Sequence, residues 1–228
     1  MLFKFEYSEA VDRLSTMHGA SAKEIRAVRR NLSKQLTNAD PSAVMAIARK
    51  LLNDLVPGSC FVAYELIHFH KATLNSLTES DLKELGPGLD SWGSVDTFAC
   101  FLSGPAWRRK QVDNEVIASW ARSPDRWRRR SALVSTVPLN NKARGGTGDP
   151  IRTLLICGML VDDRDDMVVK AMSWALRELA KRDPASVEHF LEENQDRLAA
   201  RVIREVNNKL TTGRKNPKTS KANHSASC

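Results

Sequence analysis

The 228-residue chain is long enough for one large domain or two small ones, and its 42% hydrophobic content supports a packed core. A formal charge of +8, much of it in clusters, suits a polyanionic partner. Cys60, Cys100, Cys157 and Cys228 form no CxxC pair, the start MLFKFEYSEA is too charged for a signal-peptide core, and no apolar run reaches membrane-spanning length. These features argue against zinc, secretion and membrane insertion, so the expectation is a soluble intracellular protein with reduced thiols.

Ser8 to Met17 reads as a short helix closed by His18-Gly19. Ser21 caps a second helix, with Glu24 at the capping-box position. Ile25, Val28, Leu32 and Leu36 form its apolar face; Lys23, Arg26, Arg30 and Lys34 form a basic stripe opposite, which reads equally well as a solvated face. Asp40-Pro41 opens a third helix with Val44, Ile47, Ala48, Leu51 and Leu55 inward. Ser59 to Lys71 is a fourth, strongly apolar helix (Phe61, Val62, Leu66, Ile67, Phe69), in which His68 and His70 point to different sides and make no ligand pair.

Thr78 to Leu85 is a short helix before the Gly86-Pro87-Gly88 break. In the next, LDSWGSVDTFACFL, Val95, Phe98, Ala99 and Leu102 face inward, while Trp92 and Asp96, four apart, share another side. Asp96 is expected near the helix start, where the dipole keeps a carboxylate ionised. Gly104-Pro105 is read as a further break. Val112 to Arg122 and then SPDRWRRRSALVSTV are helical; Arg126, Arg128, Arg129 and Arg130 crowd the first two turns of the latter, an arrangement that asks for an anion, and phosphate fits.

NNKARGGTG (140–148) is expected to be a flexible basic loop, and Asp149-Pro150 caps Ile151 to Leu160. In DDMVVKAMSWALRELAKR (165–182), Val168, Val169, Met172, Leu176 and Leu179 make an apolar stripe, while Trp174 stands in a column with Lys170, Arg177 and Lys181. Trp174 either packs on a neighbouring helix or lines, with those cations, a groove for an anionic ligand. Asp183-Pro184 opens another helix, Gln195 to Leu210 is the last, and 211–228 reads as a disordered basic tail after a domain at 1–210. No segment alternates like a strand. The expected fold is all-α, with about ten to twelve helices joined by short turns as a curved solenoid of HEAT-like antiparallel pairs.

No Ser-His-Asp set, P-loop, dinucleotide fingerprint or zinc motif is present. One carboxylate, two tryptophans and many cations suit a reaction whose leaving group needs no proton, such as loss of a purine already cationic from N3 or N7 alkylation. At about 4 Å and an effective dielectric near 20, a carboxylate would favour an oxocarbenium-like sugar by roughly 4 kcal/mol. That corresponds to about a thousandfold in rate if the attraction exists mainly in the transition state.

SWGSVD (91–96), WRRRSALV (127–134) and KAMSWALREL (170–179) occur, in this order, in a chain that resembles the HEAT-like-repeat alkylpurine DNA glycosylases, the AlkD-type DNA alkylation repair family. The resemblance implies Asp96 as catalytic carboxylate, with Trp92 and Trp174 flanking the lesion nucleotide. It implies Arg130 as a contact to the DNA backbone, and a metal-free monofunctional hydrolase without cofactor that excises N3- and N7-alkylpurines from duplex DNA as a step of base excision repair. Arg128, Arg129, Lys170 and Arg177 are candidate DNA-binding cations beside it. Gly93 departs from the family pattern, where an aromatic or acid is common, and 140–148 looks like an insertion whose Arg144 either adds a phosphate contact or plays no part. A monomer is expected. The alternatives are a non-catalytic module for damaged or branched DNA and a protein-binding scaffold.

Overall fold

The computed structural model describes residues 3–54 and 56–217. Among them every regular element is helical. In chain order these are α1 (Lys4–Ser15), α2 (Ala22–Gln35), α3 (Pro41–Asn53), α4 (Ser59–Phe69), α5 (Lys71–Ser76), α6 (Glu79–Leu85), α7 (Trp92–Phe98), α8 (Gly104–Arg108), α9 (Asn114–Ala121), α10 (Arg126–Ser135), α11 (Val137–Asn140), α12 (Pro150–Met159), α13 (Asp166–Leu179), α14 (Pro184–Glu193) and α15 (Ala200–Thr212). Leu55 and the end of the chain after residue 217 lie outside the described residues, so the expected inward Leu55 and most of the expected tail are not part of this description.

Local chemistry sets the helix starts. Ser21 and Glu24 close a full capping box on α2, as the sequence indicates, and Thr78 and Asp81 do the same on α6. Asp125, Asp149, Asp165 and Asp183 each accept a backbone N–H of the helix that follows. Asp40 occupies the N-cap of α3 without a side-chain bond; Pro41, with its preset φ, begins that helix.

The helices pack as a stacked array of antiparallel pairs, the solenoid architecture that the sequence predicts. One row runs α2–α4–α7–α10–α13–α15, each packed on the next, with α1, α3, α9 and α12 covering α2, α4, α10 and α13 from the other side. Val44, Ile47, Leu51, Val62, Ile67, Phe98, Leu133, Val168, Leu176 and Leu179 are fully buried in one continuous core. Polar pairs stitch neighbouring repeats at a near-constant sequence interval. Arg130 reaches back 34 residues to Asp96, Arg129 forward 34 to Asp163, Arg197 back 35 to Asp162 and Arg201 back 35 to Asp166.

Several local expectations are corrected. Helix α1 begins at Lys4 rather than Ser8, and the last helix spans Ala200–Thr212 rather than Gln195–Leu210. The fourth helix stops at Phe69, because His70 leaves the helical region and uses Nδ1 to cap α5 through the Thr73 N–H. Gly104-Pro105 is not a break. A π-turn over Ala99–Ser103 joins α7 to α8, with the Gly104 N–H reaching Ala99 O, five residues back, and the chain continues as helix through Pro105. The arginine helix ends at Ser135, with α11 following around Pro138.

The 140–148 stretch is a tight folded turn rather than a flexible loop. The Gly146 N–H donates to Asn141 O, the Gly148 N–H to Leu139 O, and Arg108 holds Gly145 O at 2.8 Å. Asn140, fully buried, donates to Thr136 O and Thr153 Oγ1 and accepts the Asp149 N–H.

Candidate functional site

Four helices of the main row, α2, α4, α7 and α13, meet around a cleft of about 530 Å³ lined by Arg26 of α2, Phe61 of α4, Trp92, Asp96 and Thr97 of α7, Cys100 and Phe101 of the π-turn, Arg144 and Trp174 of α13. Trp92 is the first residue of α7. Ser91 caps that helix by accepting the Ser94 N–H, which leaves the indole at the rim, 63% exposed. One turn on, Asp96 points to the same side, its side chain 19% exposed.

Arg130 of α10 lies beneath Asp96 and is buried. Its Nε donates to Asp96 Oδ1 at 2.9 Å and its Nη2 to Oδ2 at 2.8 Å, the two-pronged geometry of a guanidinium on a carboxylate. The remaining terminal nitrogen, Nη1, donates to Met167 O at 2.6 Å, at the start of α13. One guanidinium thus ties α7 to α13, and Trp174 stands seven residues, two turns, past Met167 on α13. Burial raises the Asp96 carboxyl above the ordinary carboxylate range, while the hydrogen bonds and charge of Arg130 oppose that rise. Asp96 lies beyond the first turn of α7, so Arg130, rather than the helix terminus expected from sequence, is what favours its ionised form. Burial pushes the Cys100 thiol up to about 12, which leaves it a neutral lining group rather than a nucleophile at neutral pH.

The remaining cations divide. Arg144 does line the cleft, donating to Cys100 O at 3.3 Å with its guanidinium over the Phe101 ring. Arg129 is spent on Asp163 (2.6 Å) and two backbone carbonyls, and Arg128 lies over Trp120. Arg126 faces Asp165 at 3.6 Å. Asp165, Asp163 and Asp96 thus supply anions within the protein to three of the four arginines, Arg126, Arg129 and Arg130, and Arg128 faces no carboxylate among the described residues. Lys170 pairs with Asp166 at 2.6 Å, and Arg177 bonds Ser173, which in turn holds the buried Glu205. Trp174 combines both readings of its column: it is partly buried against the core and its other part lines the cleft.

Two cleft residues carry weaker sequence signals. Phe61 reads as core but is 36% exposed. It belongs to the 61–65–69 face of α4, where Glu65 between two phenylalanines separates that face from buried Val62 and Leu66. Its ring fills the space that Gly93 leaves open, since a Cβ on Gly93 would stand 3.2 Å from Phe61 Cζ. Arg26 belongs to the basic stripe of α2, and Glu65 Oε1 holds its Nε at 2.8 Å. Among the described residues no three His, Cys, Asp or Glu side chains gather as a metal-binding group.

The sequence model of a family described as DNA alkylation repair enzyme matches residues 8–210. No curated protein matches the chain.

Proposed function

The chain belongs to the DNA alkylation repair enzyme family, and from that membership we propose that it is a monofunctional DNA glycosylase for cationic N3- and N7-alkylated purines in duplex DNA. The observation that carries the reading is the Asp96 carboxylate, held from below by Arg130 and open to a cleft walled by Trp92 and Trp174.

In the proposed reaction the C1′–N bond breaks, and its electron pair neutralises the charge on the alkylated base, which leaves without a proton. Asp96 faces the oxocarbenium-like sugar and positions the water whose oxygen bonds to C1′, and the water's proton passes to solvent. No second acid is required, in contrast to sugar hydrolysis through a paired acid and base. The indoles of Trp92 and Trp174 hold the cationic nucleotide through their π faces. Arg130 acts as a positioning residue: it fixes the carboxylate rotamer and keeps it ionised although buried. Arg144 is the cation of the cleft nearest in kind to a backbone contact. The catalytic unit spans 1–210, works as a monomer on double-stranded DNA inside the cell, and carries 211–228 as a basic extension. Among the described residues no helix is long and apolar enough to cross a membrane.

The test is single-turnover release of 7-methylguanine from methylated duplex DNA by wild type beside Asp96→Asn. Release by wild type with none by the variant, DNA binding being retained, is the expected result. Equal release by both would remove Asp96 from the mechanism. A second reading, a non-catalytic module for damaged DNA, draws on the fact that both carboxylate oxygens already accept from Arg130. It predicts no release by either protein with salt-sensitive binding intact.

A further inference from the structure

The cations on the main row of helices are not equivalent. On α10 and α13, Arg126, Arg129, Arg130 and Lys170 each face an aspartate of the same chain. On α2 the balance is different. Lys23, Arg30 and Lys34 are exposed, and among the described residues none has a carboxylate within 4 Å or a side-chain hydrogen bond. Arg26, at steps of three and four from its neighbours in this stripe, shares Glu65 with Arg29. Glu65 takes only the Nε of Arg26, and the terminal nitrogens of that half-exposed guanidinium have no partner among the described residues.

Residues at those steps lie along one side of a helix. Arg26 lines the cleft that holds Asp96, so the row is continuous with that cleft. From Lys23 to Lys34 it extends about 16 Å at the 1.5 Å rise of a helix. Beside Arg26 lies a second hollow of about 280 Å³, lined by Ile25, Phe61, Val62, Arg29 and Glu65. Free positive charge spread along one helix, beside a cleft that Arg26 and Arg144 line, matches a regular line of phosphates better than a point anion.

We infer that the Lys23–Arg26–Arg30–Lys34 stripe of α2 is the phosphate-tracking surface of this protein. It grips the DNA backbone as the strand leaves the cleft, whereas Arg128, Arg129, Lys170 and Arg177 serve the fold. The inference rests on the proposed function for its choice of DNA, but not on catalysis.

The test is equilibrium binding of the full chain to a short unmodified DNA duplex over a range of salt concentrations. Wild type is compared with the triple variant Lys23→Ala, Arg30→Ala, Lys34→Ala. A charge-matched control carries Lys83→Ala, Arg122→Ala and Arg197→Ala, three exposed cations already paired with Glu79, Glu115 and Asp162. Each phosphate contact contributes about −0.9 to the slope of log K against log salt. The stripe variant is therefore expected to lose about 2–3 from the magnitude of the slope, and the control to keep the wild-type slope. Thermal melts confirm that all three proteins are folded. Equal slopes for stripe variant and wild type, or an equal loss in the control, would overturn the inference. So would wild-type binding without salt dependence, which would also remove DNA as the partner. Single-turnover release at saturating protein reads the catalytic proposal separately: no release by wild type alongside a reduced slope in the stripe variant would sink the glycosylase reading and leave the stripe standing.

Discussion

Arg130 and Asp96 meet across 34 residues in a two-pronged pair, 2.9 Å and 2.8 Å, in which the arginine is almost entirely buried and the carboxylate keeps one edge on the cleft. The pair holds two opposed effects on one carboxyl. Burial raises its pKa and the guanidinium lowers it, and burial prevails. Removing the guanidinium leaves burial unopposed. Arg130→Ala is expected to move the acidic limb of the pH–rate profile upward, whereas Arg130→Lys, which keeps the charge and loses the fork, moves it less. A purely structural arginine would lower the amount of active protein without moving the limb. Because the native carboxyl holds its proton more tightly than the unfolded one, this group makes stability fall as pH rises from the ordinary value of 3.8 through the raised native value.

Trp92 and Trp174 share the cleft but differ in what else they do. Trp92 is 63% exposed, and its loss removes little buried area. Trp92→Ala is therefore expected to change stability by less than about 0.5 kcal/mol while reducing single-turnover release. Trp174 also packs on the core, so Trp174→Ala is expected to cost roughly 2–3 kcal/mol of stability in addition to its effect on release. Denaturant midpoints measured beside release rates separate the two. A large stability loss at Trp92 would mark it as a packing residue.

The helices are legible in the sequence because their signals are local. Apolar residues at steps of three and four, Asp-Pro and Ser-x-x-Glu starts and Gly-containing ends lie within one or two turns of one another. The Trp92–Asp96 pair and its shared side are legible for the same reason. What local spacing does not carry is the neighbouring repeat. The four arginines of α10 look like a surface awaiting phosphate until Asp96 and Asp163, each 34 residues away, are brought beside them. Phe61 looks like core until Gly93 on another helix gives its ring a place at the cleft. The Gly104-Pro105 pair looks like a break, although a π-turn carries the helix through it where Gly104 packs closely on Ser135 and Pro138.

That last approach yields a stability prediction with an internal control. A Cβ on Gly104 would stand 2.7 Å from Pro138 Cγ and Ser135 O and 2.9 Å from Ala99 O. Two of these are backbone oxygens, which cannot swing aside as a side-chain end does, and Ala99 O is the acceptor that closes the π-turn. Gly104→Ala must therefore push α10 and α11 away from α8, which the π-turn joins to the helix carrying Asp96, at a cost of about 1–3 kcal/mol. For a chain of this size that corresponds to a fall in Tm of roughly 2–12 °C. Gly158, in α12, has nothing within 4 Å of its would-be Cβ and is exposed. Gly158→Ala restricts the unfolded chain without strain and is expected to stabilise by about 0.5 kcal/mol. Opposite signs for one added methyl group would tie the effect to the contact of Gly104 with α10 and α11 rather than to alanine itself. A neutral Gly104→Ala would mean that the joint between α8 and α11 yields, and that the position of Asp96 above Arg130 does not depend on it.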